Sequence, residues 1–385
     1  MNNDYLIKYN SFAFVLLLFI YSFTTVFSLL FNQSYLIIAL SLLVIGPVII
    51  LDFTYDFRRN NINALFFEVF LLIVLIIEDI YYIQYHATIQ STIISLVSIG
   101  TLGLFIGTSR LDLKYCEKYL KVFMYLCFGL SILYLVLIRG DFFLSMRFGY
   151  ALLPSAIAFM YFYYREHKLY YIILLAFSII LLMAWGSRGT LLAIALFYLI
   201  NLLKRGNWLL LIVLLLLIVI SWDLIMLVLE NIVYMVADIT GARKIESLIR
   251  LASGEAEMLE ASSGRDVLYM RSIQLFKENP FGCGVGYWSE DPVMNGLYPH
   301  NIFLQVATEF GVIGLVSLLT LIAVVTIRLF RLDEESFAFG GMLFAIAIGR
   351  LLISSSYWER PEFWLLLGAF VFNSKTTIKL RDEKE

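Results

Sequence analysis

Charge is what this 385-residue chain has least of: 15% of its residues are Asp, Glu, Lys or Arg, against 61% hydrophobic and 16% aromatic, with a mean hydropathy of +0.86. So few polar side chains cannot cover a soluble domain of this length, which excludes that class. Cysteine is nearly missing as well. Cys116, Cys127 and Cys283 form no CxxC pair, so neither a disulfide framework nor a thiolate metal cluster is on offer. There are three histidines, no repeat of about 20 to 50 residues and no low-complexity tract. No DxD-like acid pair that could hold a catalytic metal appears in the long connection 230–299. Glu255, Glu257 and Glu260 read as a solvated acidic run, and Glu290-Asp291 runs into Pro292 in a turn.

What the chain does have is long apolar runs. A helix needs about 20 mostly apolar residues to cross about 30 Å of hydrocarbon. Twelve windows qualify, near 11–31, 34–51, 64–83, 89–107, 118–138, 148–164, 169–185, 188–203, 207–229, 300–327, 336–354 and 361–374. The first has no small-residue cleavage site after it and reads as a retained helix rather than a signal peptide. The expected fold is an all-α polytopic membrane protein of about twelve transmembrane helices. Residues 1–229 would hold the first nine, 230–299 one large extracytoplasmic loop with short helices, 300–374 the last three, and 375–385 a cytoplasmic tail.

Orientation follows from the cations. With the N-terminus inside, 17 of the 28 Lys and Arg fall in inner segments, among them Lys8, Arg58, Lys114, Arg165, Lys204 and Arg328. The outer connections and span ends keep five, and all five are arginine: Arg139, Arg147, Arg188, Arg350 and Arg360. Arginine is the better planar fork for phosphate oxygens, so an outward ring of it suggests an anionic ligand. Each one taken alone could equally snorkel to the interface or pair with Asp141, Glu359 or Glu362.

Inside the loop, Ser263 to Asp266 has capping-box spacing and Asn279-Pro280 a stop signal. The helix between them carries Leu268, Ile273, Leu275 and Phe276 interleaved with Arg265, Arg271 and Lys277, as for a lid at the membrane surface or on the bundle. Gly282, Gly284 and Gly286 follow with no strand before them, so they read as a flexible return turn rather than a nucleotide loop. His300 then opens the tenth span after Pro299. Unpaired N–H groups and the positive dipole end favour an anion there and keep an imidazole neutral, suited to a general base or a hydrogen-bond donor. Glu309, about 13 Å deeper at 1.5 Å per residue, faces roughly the opposite side. It is expected to brace the bundle through a polar partner on another span. His86 and His167 lack motif context and read as solvated; Glu68 and Asp223 read as interfacial structural acids.

The run His300-Asn301, Leu304, Glu309, Gly311 and Gly314, preceded by Ser263-Gly264-Arg265, Asn279-Pro280-Phe281-Gly282 and Gly284-Val285-Gly286, resembles the signature of the bacterial O-antigen ligase and O-antigen polymerase family. Trp185 to Ala193 resembles that family's Ser-Arg segment. The resemblance implies a metal-independent glycosyltransferase without cofactors at the outer face of the cytoplasmic membrane, both termini inside, with a polyprenyl-diphosphate-linked sugar as donor. Such chemistry needs cations on the diphosphate and a base on the acceptor hydroxyl. His300, Arg265 and Arg188 are the expected catalytic residues. Arg147, Arg139, Arg350 and Asn301 are expected to bind substrate, and Glu309 to give structural support. Implied partners are the lipid bilayer, the lipid-linked oligosaccharide, and chain-length regulator and flippase proteins, with no nucleic acid. Polymerase is favoured over ligase, and O-antigen or capsule are the expected products. A secondary transporter is the alternative of another class, but Pro47 and Pro154 mark no repeated halves.

Overall fold

The computed structural model describes residues 3–31, 45–47, 50, 54, 59–137, 146–184, 188–206, 265–373 and 378–379. Helix dominates them, as it must where backbone groups have no water to pair with. In chain order the helices are α1 (Asn3–Phe31), α2 (Arg59–Tyr81), α3 (His86–Ser95) joined through a π-helical turn (Leu96–Gly100) to α4 (Thr101–Thr108), α5 (Leu113–Leu137), α6 (Met146–Glu166), α7 (Leu169–Ala184), α8 (Arg188–Lys204), α9 (Arg265–Glu278), α10 (Ile302–Phe330), α11 (Glu334–Leu351) and α12 (Pro361–Leu367), which continues as a π-turn (Gly368–Phe372). The strands are two residues each: Leu111–Asp112 pairs in parallel with Ile378–Lys379.

Among the described residues, three helices are long and apolar enough to cross a membrane: Asp4–Val26, Ile83–Thr108 and Ile302–Phe330. Leu169–Leu182, Gly189–Lys204 and Pro361–Phe372 are shorter apolar helices. This is consistent with an all-α membrane protein, while a count of twelve spans exceeds what the described helices establish. The expected spans near 34–51 and 207–229 lie wholly or mostly outside the described residues, as does Asp223.

The described helices share two ends. At one, Asp112 donates its amide to Ser11, Arg165 pairs with Glu117 and Glu335, Asn373 donates to the Thr108 carbonyl, and Lys204 donates to the carbonyls of Phe330 and Leu332. At the other, the loop end, Tyr21 and Tyr150 meet Arg350, and Tyr82 packs on Gly284. The connections rich in Lys and Arg thus gather opposite the 265–300 loop.

Small residues set the closest helix contacts, as expected between membrane helices. A Cβ on Gly107 would stand 2.6 Å from the Leu365 carbonyl oxygen, and one on Gly368 2.3 Å from that of Leu104, so α4 and α12 touch backbone to backbone. Outward faces are apolar: Phe66, Phe70, Ile73 and Ile77 on α2 and Ile313, Val316 and Leu319 on α10 are exposed, a pattern that suits lipid rather than water. Glu68, expected at the interface, is instead buried, and one of its oxygens accepts from Thr101 of α4.

Candidate functional site

The loop end owes its shape to a break in α10. Gly311 sits at φ 64°, ψ −152°, inside an otherwise helical stretch, in a region that is essentially glycine's alone. The break frees backbone groups, and the Pro280–Gly284 segment takes them up: Cys283 N–H donates to the Thr308 carbonyl at 2.7 Å, Gly284 N–H to that of Glu309 at 3.1 Å, and Val312 N–H to Pro280 at 2.9 Å. A Cβ on Gly311 would lie 2.2 Å from the Pro280 oxygen. The expected flexible return turn is therefore a fastened plug, because a broken membrane helix must pair its orphaned groups with something.

One turn back, Glu309 is buried and accepts from Tyr357 Oη at 2.6 Å, Gln305 Nε2 at 2.8 Å and Trp358 Nε1 at 3.3 Å. It ties α10 to the single turn Tyr357–Glu359, which leads into α12. Asn301 is likewise committed to the fold. It is the N-cap of α10, its Oδ1 accepting from Phe303 and Leu304 N–H at 3.0 and 3.1 Å while Nδ2 donates to the Leu352 carbonyl at 2.9 Å. Its side chain anchors the start of α10 to the end of α11.

Those two anchors hold His300, whose backbone lies at φ 55°, a conformation rare for a non-glycine residue and common at functional sites. Its ring lies 4.2 Å from that of Tyr298, and Nδ1 is buried without a hydrogen-bond partner. Burial, with the nearby positive charge of Arg265, pushes the imidazole down to about 4, so the ring is neutral at pH 7. Arg265 is the first residue of α9, whose other end is fixed by a small core of Leu268, Leu275, Tyr287 and Met294. The lid-like helix expected from its capping signal is therefore partly self-packed, and it also lies along α10.

A second group of cations stands beyond Tyr298. Burial raises the Tyr298 hydroxyl, opposed by the charges of Arg360 and Arg350. Both guanidiniums lie over the one ring of Tyr21, at 3.7 Å for Arg350 and 4.4 Å for Arg360; Arg350 also lies 4.8 Å from the Tyr150 ring. Arg350, 4% exposed, donates to Ser355 Oγ at 2.9 Å and stands 3.9 Å from Glu362. Among the described residues, Arg360 has the exposed Glu359 as its ion-pair partner, at 4.0 Å, and its Nε is buried without a hydrogen bond. The two guanidiniums thus share one aromatic face, each with one carboxylate at about 4 Å. Arg188 opens α8, and its neighbour Gly189 abuts Tyr150: a Cβ there would meet the tyrosine hydroxyl at 2.3 Å. Arg147 lies in the first turn of α6, three residues before Tyr150. Arg139 is outside the described residues, as are Ser263 and Gly264.

Arg265, His300, Arg350 and the backbones of Arg188 and Arg147 thus share the loop end. Sequence reasoning left Arg360 out of the candidate site and gave no hint of Tyr21, Tyr150 or Tyr298. The outer-arginine pattern did include Arg360, though it was not carried into the site; the tyrosines carried no signal. His86, expected to be solvated, is exposed but held by Asp79 at 2.8 Å and Gln90 at 2.7 Å. Among the described residues, no three His, Cys, Asp or Glu side chains are placed to hold a metal.

Residues 173–319 match a family model described as O-antigen ligase. That stretch, less than half of the chain, includes Arg188, Arg265, His300, Asn301 and Glu309, and leaves out Arg147, Arg350 and Arg360. No curated protein matches the chain.

Proposed function

We propose, on the support of the match of residues 173–319 to a family model described as O-antigen ligase, that the chain is a membrane glycosyltransferase that polymerises polyprenyl-diphosphate-linked oligosaccharide units at the outer face of the cytoplasmic membrane. The observation that supports the chemistry is a half-buried His300 whose Nδ1 has no partner, held toward its neutral form by burial and the charge of Arg265, with the Arg350 and Arg360 guanidiniums stacked over Tyr21 beyond it. An acceptor hydroxyl attacks the anomeric carbon of the donor sugar, the carbon–oxygen bond to the diphosphate breaks, and His300 takes the hydroxyl proton. Arg265, Arg350 and Arg360 hold the departing diphosphate, joined by Arg188, Arg147 and Arg139 if their side chains turn to the same space. The polyanion would itself raise the His300 pKa toward neutrality, which suits a base that must hold a proton only once the donor is bound. Asn301 and Glu309 act by position, fixing the helix start that presents His300. In this reading the chain crosses twelve times with both termini cytoplasmic, needs no metal, and works beside flippase and chain-length regulator proteins to build O-antigen or capsule.

The family description favours a second reading, transfer of a finished glycan to a lipid or protein acceptor. Both are tested on a strain deleted for the gene and complemented with wild type, His300→Ala or Arg265→Ala at matched membrane levels. Collapse of the glycan ladder to single repeat units in both mutants is expected. A full ladder retained on the lipid carrier, with only attachment lost, would indicate the ligase. Wild-type chain lengths from His300→Ala would remove its role as base. Uptake by proteoliposomes without glycan chemistry would turn the reading to a transporter.

A further inference from the structure

A separate cavity of about 380 Å³ lies at the loop end, lined by Tyr82 and Tyr85 after α2, Asn279 after α9, and Cys283, Tyr287 and Glu290 of the following loop. Its walls are fastened: Val285 N–H donates to Glu78 Oε2 at 2.8 Å, and Tyr82 packs against Gly284. The rings of Tyr82 and Tyr85 stack at 5.6 Å with 23° between their planes, forming one aromatic platform. The nearby cation, Arg271, is engaged by Asp291, its Nε and Nη2 donating to Oδ2 at 3.0 and 2.8 Å. Asp291 Oδ1 in turn accepts from the amides of Val293 and Met294 at 3.0 Å each. Glu290, exposed at the rim, has no partner among the described residues.

This is not the chemistry of the arginine site. Aromatic faces beside a free carboxylate and an amide, with the neighbouring guanidinium already neutralised, suit the C–H faces and hydroxyls of sugar rings and repel anions. The volume is that of a small-ligand site. From Arg265 to Leu275, which also lines the cavity, α9 rises about 15 Å, the reach of a short oligosaccharide. Trp288, next in sequence to the cavity-lining Tyr287 and packed on the same small core, lies 6.1 Å from Tyr298, and Tyr298 4.2 Å from His300.

We propose that the Tyr82–Tyr85–Glu290 cavity is a glycan subsite that grips the oligosaccharide of a lipid-linked substrate several sugars from the bond being made, and that it selects neutral or amino sugars over acidic ones. The assignment of that oligosaccharide to a substrate rests on the glycosyltransferase reading above.

Cys283 provides a readout independent of transfer, since it is half-buried in the cavity wall whereas Cys116 and Cys127 are buried. The full chain in nanodiscs would be labelled with a maleimide in the presence of oligosaccharide released by mild acid from the host's lipid-linked pool and stripped of phosphate. The expected result is protection of Cys283 in wild type and in His300→Ala alike, with affinity roughly tenfold weaker in Tyr85→Ala and in the nearly isosteric Glu290→Gln, as for loss of one good polar or stacking contact. In transfer assays the same two variants raise KM with kcat near wild type. Absence of protection in wild type, protection by inorganic diphosphate rather than by oligosaccharide, or unchanged affinity in Glu290→Gln and Tyr85→Ala would each overturn the subsite. A His300→Ala protein that still transfers while Cys283 remains protected would strike the catalytic assignment and leave the subsite standing.

Discussion

Gly311→Ala is the sharpest test of how the loop end is built. The native φ of 64° and ψ of −152° are open to glycine and cost other residues about 1–3 kcal/mol in backbone strain. The new Cβ would also stand 2.2 Å from the Pro280 oxygen and 2.4 Å from the Phe281 carbonyl carbon, both backbone atoms that cannot step aside as a side chain can. Relief requires the plug to back out, which would expose the carbonyls of Thr308 and Glu309 that Cys283 and Gly284 now satisfy. Each buried unpaired group adds about 1–3 kcal/mol, so with two such carbonyls and the strain a total loss on the order of 3–9 kcal/mol is expected. Gly129→Ala is the matched control: it lies inside α5 with nothing within 4 Å of a built Cβ, where alanine should be neutral or slightly stabilising. Thermal unfolding of the two purified variants, followed by intrinsic fluorescence, should show a marked drop for the first and none for the second. Transfer should fall at least tenfold in Gly311→Ala, because the plug supports the start of α10 that presents His300. Unfolding of Gly311→Ala at the temperature of Gly129→Ala would refute the plug.

Three further outcomes follow from the site. Since His300 is held down to about 4 by burial and Arg265, kcat/KM, which reports the free enzyme, should stay flat on acidification through pH 6.5 and fall only near 4; Arg265→Gln should move that acid limb upward, and a wild-type limb at 6.5 would contradict the buried neutral ring. Arg360→Lys should raise KM for lipid-linked donor several-fold despite keeping the charge, because an ammonium lacks the planar fork and the stacking on Tyr21; equal kinetics for the two would take Arg360 out of the anion site. Glu309→Gln keeps the shape but weakens the acceptor of the Tyr357 hydroxyl, so it should lower stability by about 1–3 kcal/mol, read as an earlier melting transition, and no change would show that Glu309 is not a brace.

Much of this was legible along the chain. Apolar windows marked helices at ten places where the structure describes them, the stop at Asn279-Pro280 marked the end of α9, and His300 stands just before α10. These features are local: each depends on residues within a turn or two of one another. Arg350 and Arg188 stood out for a similar reason, as arginines against the charge bias of their surroundings.

The partners of those residues were not legible, since a tyrosine in an apolar run reads the same whether it faces lipid or an arginine. Tyr21 and Tyr150 meet Arg350 from helices far apart in sequence, and Tyr298 joins His300 to Arg360 without periodicity to announce it. Asn301 was assigned to substrate and turned out to cap α10, because the carbonyl that takes its amide belongs to Leu352 on another helix. By itself the sequence determined which of the described segments are helices, which ends gather cations and which histidine lies beside a helix start, although the helix begins two residues after His300, with Asn301 as its cap, for hydropathy and charge act at short range. Only the tertiary structure decided that the glycine-rich turn plugs a broken helix, and that two arginines share one aromatic face while a neutral imidazole stands nearby. Those outcomes depend on backbone groups and charges, distant along the chain, that must find partners in a bundle which water cannot enter.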